Sequence, residues 1–165
     1  MLIKKRHPIS SKEMKELLER ASGISPRLPE VLDRKKGLEL VELASGERVY
    51  LQDRRPVLIE LGGKLMPALT GLEEALSGIP RVVVDMGAVP FICNGADVMA
   101  PGIRSVPEGV KPGDVVIVSD ERHGKSLAVG LLMMEREGIL RKKKGKAVKN
   151  VHHVGDAIWK DLQKI

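Results

Sequence analysis

Aromatic residues, cysteine and long apolar runs are all scarce in this 165-residue chain, and each scarcity closes off a class of function. Tyr50, Phe91 and Trp159 are its only aromatics. Proteins that read single-stranded bases on rows of stacked rings need more, since each platform contributes about 1–3 kcal/mol per base, and at least two of these three fit core positions. Cys93 stands alone, which excludes an internal disulfide and fits a reducing compartment; its side chain suits burial as a small apolar group. The opening MLIKKRHPIS lacks the roughly 7–15-residue apolar stretch of a secretory signal. No apolar run nears the ~20 residues of a membrane span. The expectation is a cytoplasmic protein with no membrane attachment.

What is present is an ordinary globular balance, 42% hydrophobic and 30% charged, with 17 glycines and 10 prolines scattered along the chain. Scattered breakers punctuate many short elements, as in folds built from strands and turns. The net charge of +6 favours an anionic partner. Residues 1–79 carry 14 Lys+Arg against 12 Asp+Glu and residues 80–165 carry 14 against 10, so the second half is the more basic.

Periodicity predicts the elements. Residues 1–6 alternate as a strand that His7-Pro8 should stop. Ser10 followed by Glu13 is a capping box, and Met14, Leu17, Leu18 and Ala21 make one face of a helix ended by Gly23 and Pro26. LELVEL (38–43) and RVYLQ (48–52) read as a hairpin, with VLIEL (57–61) and KLMPAL (64–69) as further strands around Gly62-Gly63. Thr70 with Glu73 predicts a second capping box on a helix through Leu72, Ala75 and Leu76. A boundary falls before Pro80. Beyond it come a strand at RVVVD (81–85), a short helical stretch in GAVPFICNGA (87–96), DVMAPGI (97–103), and VVIV (115–118). LAVGLLMM (127–134) is apolar at both parities and should be covered on both faces. A lysine-rich turn (141–146), the strand AVKNVHHV (147–154) and a helix capped by Asp156 with Ile158, Trp159, Leu162 and Ile165 inward complete the chain. Short strands bracketed by two helices imply a β-barrel-like module of α+β class.

Enzyme motifs fail on inspection. Gly124-Lys125-Ser126 ends like a phosphate-binding loop, but Ser119 occupies the position where that loop needs glycine. His152 and His153, adjacent in a strand, point to opposite faces and cannot converge on one metal; one should be buried and hydrogen-bonded, the other exposed. There is no Gly-x-Ser-x-Gly elbow and no closely spaced carboxylate pair. No catalysis, cofactor or metal is expected.

Any nucleic-acid binding must then use cations on phosphates, backbone amides at glycines, and shape. Arg141, Lys142, Lys143, Lys144 and Lys146 crowd one short turn, where they could meet a phosphate track or merely keep a hairpin tip solvated and its edge unpaired. Arg122 and Lys125 form a weaker cluster diluted by Asp120 and Glu121. Gly87, Gly95 and Gly102 permit tight turns, and they also expose amides to an approaching backbone.

The segment VVVDMGAVPFICNGADVMAPGI (82–103) resembles the start of a PUA domain, the module named for pseudouridine synthases and archaeosine transglycosylases. The resemblance continues through GDVVIV (113–118) and LAVG (127–130). Lys144-Gly145, Asn150, His152, Asp156 and Trp159 look closer still to the malignant T-cell-amplified sequence family of translation factors and its relative ligatin. The first half, opening with LIKKRH and a short helix, is similar to the pre-PUA domain of that family.

The resemblance implies an N-terminal α+β pre-PUA domain over 1–79 and a C-terminal PUA β-pseudobarrel over 80–165, without catalytic activity. It implies action in translation initiation, reinitiation or recycling, with tRNA and small-subunit rRNA as partners and no DNA. Eukaryotic members work with density-regulated protein, whose start-codon-related domain this chain lacks. PUA domains grip RNA along the first helix, the next strand and the last strands, which on matching positions are Gly87, Ala88, Gly95, Ala96, Pro101, Gly102 and Arg104. The RKKKGK turn is a departure from the family pattern. Two other readings stay open: an RNA-binding accessory subunit of a tRNA or rRNA modification enzyme, and a protein–protein adaptor using the 127–134 run.

Overall fold

The structure, a computed structural model, describes residues 3–32, 35–70 and 73–165. The chain divides into two compact units, one comprising Met1–Gly78 with Asp161–Ile165 and the other Ile79–Lys160. No helix among the described residues is long and apolar enough to cross a membrane.

The first unit is an antiparallel sheet in simple sequence order: β1 (Ile3–Pro8), β2 (Glu39–Leu43), β3 (Arg48–Gln52), β4 (Arg55–Leu61) and β5 (Lys64–Pro67). Asp53-Arg54 and Gly62-Gly63 link the last three strands with positive φ at both turn positions (50° and 65°, then 57° and 79°), the hand that matches strand twist. The capping box forms as expected: Glu13 N–H donates to Ser10 Oγ, Ser10 N–H to Glu13 Oε1, each at 3.1 Å. It opens α1 (Ser11–Ser22), whose Met14, Leu17, Leu18 and Ala21 share a core with Leu40, Tyr50 and Leu58. A single turn, α2 (Leu28–Val31), was not foreseen from periodicity.

Two expectations need correction here. β1 does not stop at His7-Pro8 but runs through it. Ile9 N–H donates to Leu38 O, so by the two-residue period His7 and Lys5 also turn their backbone toward β2, and Pro8 faces outward. β1 is the sheet edge, so the missing N–H of Pro8 breaks no ladder bond. The Thr70–Glu73 box is not made either: α3 is Glu73–Ser77, and Thr70 Oγ1 is buried with no partner among the described residues. Leu72, expected in that helix, lies outside them.

The second unit is a six-stranded sheet in the order β7-β11-β10-β9-β6-β8, built from β6 (Arg81–Val84), β7 (Val98–Met99), β8 (Ile103–Ser105), β9 (Val115–Asp120), β10 (Ser126–Leu132) and β11 (Lys146–His153). Only β6 and β9 run parallel. Every strand sends side chains into one core, from Val82 and Val84 through Val98, Ile103, Val116, Val118, Ala128, Leu132 and Val148. That shared core is the mark of a nearly closed barrel. Burial on both parities holds for Leu127 through Gly130, and ends where Met133 becomes exposed. Gly130 permits the β10–β11 approach at a register shift: a Cβ there would overlap Val148 Cγ1 and stand 2.5 Å from Lys149 O. The helices are α4 (Val89–Ile92), α5 (Arg136–Leu140) and α6 (Ala157–Leu162). α5 was not anticipated, because its five residues are too few for a period.

Candidate nucleic-acid interface

The segment 85–104 is held by polar side chains at both ends. Asp85 Oδ1 accepts the Ala88 amide at 2.9 Å, and Asp85 N–H donates to Gly102 O at 2.9 Å. From β11, Asn150 Nδ2 donates to Ile92 O and Ala96 O at 3.0 Å each, while its own amide donates to Asp97 Oδ1 at 2.8 Å. α4 and β7 are thereby fixed around a cleft of about 250 Å³ lined by Ala88, Phe91, Ala96, Asp97, Met99 and Gly102, among others. Phe91 is 68% exposed and Met99 49%.

Three of the expected residues, Ala88, Ala96 and Gly102, therefore meet in one place. Gly95 sits beside them at φ +95°, a conformation that favours glycine. Gly87 and Pro101 are exposed on the same segment. The expected exposure of the Gly95 amide is corrected. Ala88 N–H is spent on Asp85, Gly95 N–H on Ile92 O and Ala96 N–H on Phe91 O. What these positions contribute is a small footprint that leaves the cleft open.

The lysine turn is docked on this segment rather than projecting as a hairpin tip. Ala100 N–H donates to Gly145 O at 3.2 Å, Lys146 Nζ pairs with Asp97 at 2.8 Å, and Lys142 Nζ donates to the carbonyl of Ile103. The Lys146 ammonium, with the Asn150 amide, holds the Asp97 carboxyl below its usual range against partial burial. Arg141 is tied to Glu137 at 2.6 Å. Lys143 and Lys144 are exposed and have no acidic partner among the described residues.

Arg122 and Lys125 occupy the β9–β10 turn, outside the cleft lining, on the side of Arg104. Arg104 Nε lies 3.0 Å from Glu121 Oε2. The Gly-Lys-Ser resemblance dissolves for a physical reason: the amides of Arg122, His123 and Lys125 all point at the carboxylate of Asp120. Those bonds, the His123 amide foremost, hold the Asp120 carboxyl below its usual range. The place a phosphate would take in a nest of amides is filled by the protein's own anion.

The two histidines differ in burial, though His153, expected to be exposed, is not. His152 is fully buried with Nδ1 3.0 and 3.2 Å from the Asp156 oxygens, and His153 is half-buried. Asp156 also accepts the amides of His153 and Trp159, the latter at 2.7 Å, which caps α6. Burial pushes the Asp156 carboxyl up, but His152 and these amides together hold it below the ordinary range. No group of three or more metal-ligating side chains occurs among the described residues.

Phe91, Met99, Asp97 and Asn150 were not assigned to the site from sequence. Asn150 belonged to the resemblance without a role. Phe91 carried no signal, because Ile92 beside it is buried and a four-residue helix has no readable face.

Comparison with known proteins places this architecture. The PUA domain, an RNA-binding fold, matches residues 80–154. The crystal structure of a hypothetical protein from Pyrococcus horikoshii OT3 superposes with a TM-score of 0.84 at 36% identity, covering 96% of this chain and 99% of that one. Malignant T-cell-amplified sequence 1 of Rattus norvegicus is 30% identical over 155 residues, 87% of this chain and 81% of that protein. The chain belongs to the malignant T-cell-amplified sequence family. Translation machinery-associated protein 20 of Saccharomyces cerevisiae is also similar, 29% identical over 87% of this chain and 83% of its own length. Family membership and barrel agree with the fold expected from the α+β pattern.

Proposed function

We propose that this protein is a non-catalytic, cytoplasmic RNA-binding factor of translation, which grips structured RNA, tRNA or the small ribosomal subunit, on the cleft face of its second unit. The observation that carries this reading is the docking of the lysine turn against the cleft through Lys146–Asp97 and Gly145–Ala100. An exposed ring, small residues and two uncommitted lysines then lie on neighbouring segments. An unstacked base suits the cleft beside Phe91, and phosphates suit Lys143 and Lys144. Ala88, Ala96 and Gly102 form part of the wall, with Gly87, Gly95 and Pro101 on the same segment and Arg104, Arg122 and Lys125 as an outlying basic group. On this reading residues 1–79 act as the pre-PUA domain and residues 80–165 as the PUA domain. A density-regulated-protein-like chain is the protein partner. The names of the relatives, associated with the translation machinery, support the same direction.

Filter binding of the purified chain to bulk tRNA and to small ribosomal subunits across a salt series tests the proposal. Binding is expected to weaken linearly in log–log form, with a slope of about −0.7 to −0.9 per phosphate neutralised. No retention of either RNA at low salt overturns it. Co-purification with an RNA-modification enzyme in place of ribosomal subunits would favour the accessory-subunit reading.

A further inference from the structure

The sheet of the second unit begins at β7 and ends at β8, and the turn Ala100–Gly102 joins these two strands directly. The nearly closed barrel thus has a seam between them, and β8 has an outer edge with no strand beyond it. Asp85 N–H takes Gly102 O, so the next carbonyl, that of Ile103, turns to the outer edge. Lys142 Nζ donates to it. From the other end of α5, Arg136 Nε donates to Val106 O at 3.2 Å, just past β8. A cation at each end therefore ties α5 to the seam, where bare carbonyls would otherwise invite a further strand.

Lys142 makes its contact from an unusual backbone, at φ 55°. Its amide donates to Ile139 O and the Lys143 amide to Gly138 O, each at 3.0 Å. These paired bonds close a helix at a position where glycine is the usual residue, because a side chain there is strained. Among the described residues, the bond to Ile103 O is the one recorded for the Lys142 side chain. The same closure lays the Lys143 stem along α5, with Cδ 3.5 Å from where a Cβ on Gly138 would stand. The residue that ends α5 thus also sets the course of the two lysines that follow it.

We infer that Lys142 is a positioning residue of the RNA face: its ammonium, held by the Ile103 carbonyl, pins the end of α5 to the seam and so fixes where Lys143 and Lys144 meet phosphate. This inference rests on the RNA-binding reading above. The physical basis is that lysines on a wandering turn must be ordered when RNA binds, and a turn fixed beforehand removes part of that cost. Glycine at position 142 would suit the backbone better and would leave the turn untied. Lys142 therefore acts through its two neighbours, without touching RNA itself.

The test compares wild type, Lys142→Met and Lys142→Gly, each alone and in a Lys143→Gln, Lys144→Gln background, by filter binding to bulk tRNA at low salt. Both single variants lose the tie, so both should bind about 2- to 12-fold more weakly, the worth of ordering one long side chain. In the background without Lys143 and Lys144, the same substitutions should have almost no effect. Hydrogen exchange of the Ala100 amide, which donates to Gly145 O, should quicken in both single variants as the turn loosens. Lys142→Gly should nonetheless melt about 2–4 °C above Lys142→Met, because only the methionine keeps the strained backbone. Unchanged tRNA affinity, unchanged Ala100 exchange, or a loss confined to Lys142→Met overturns the inference while leaving RNA binding intact. A loss that persists undiminished without Lys143 and Lys144 also overturns it, because Lys142 would then meet phosphate directly. Absence of wild-type tRNA binding overturns the RNA reading and the inference together.

Discussion

The chain carries two basic runs of similar composition, Lys4-Lys5-Arg6-His7 in β1 and Arg141-Lys142-Lys143-Lys144 after α5, and their settings make them different objects. In β1, successive side chains alternate between the faces of the sheet, Lys4 falls at a register shift, and Arg6 is taken by Glu39 at 2.9 Å. With Pro8 turned outward, the run has the character of a blunted edge, charged so that no further strand adds to it. The second run lies in a turn at positive φ (Lys142, 55°) that is docked on the cleft segment. The turn leads into Lys146, which pairs with Met99 between β11 and β7. The same residue types solvate an edge in one place and dock on a cleft in the other; geometry decides which.

The largest expected effect probes the cleft on which the second run is docked. Phe91→Ala should cost about 1–3 kcal/mol of RNA binding, the worth of one stacking platform. It should leave the melting temperature nearly unmoved, because the ring is exposed. A loss of stability without a loss of binding would break the comparison. Next comes charge reversal. Lys143→Glu with Lys144→Glu should lower tRNA affinity about tenfold at low salt and flatten the salt slope by about 1.4–1.8, whereas Lys4→Glu with Lys5→Glu should change affinity less than about twofold. Equal effects would mean that net charge alone governs binding.

The smallest effect at neutral pH is the acid response of the cleft unit. Asp97, Asp120 and Asp156 have carboxyls held below their ordinary values in the folded state. A depressed carboxyl contributes stability that is present above its unfolded value, about 3.9, and lost as pH falls through the folded value. Circular dichroism melts should thus stay level from neutral pH to about pH 4 and decline below it. Asp156→Asn should decline less in that window while being less stable at pH 7.

Much of the local structure was legible because its causes lie within four residues. The Ser10–Glu13 box, the four-residue face of α1, the paired glycines between β4 and β5, and the Asp156 cap on α6 all follow from neighbours along the chain. The same reasoning failed at Thr70, where a matching pair of residue types did not find the matching backbone, and at Pro8, where an edge position removed the usual objection to proline in a strand.

The site itself was only partly legible. Gly95 and Ala96 stood out by type, but their amides proved to be committed, and the exposed ring beside them gave no sign in the sequence.

Residue order by itself determined the short-range elements and the basic second half, because propensity, capping and charge count act locally. Strand register in the nearly closed barrel decided the rest. It set Lys146 against Asp97 across 49 positions, Glu121 against Arg104 across 17, and Asn150 against Ile92 and Ala96. Contacts between residues so far apart in the chain exist only after a sheet has chosen its neighbours, and they determine which cations carry a carboxylate partner.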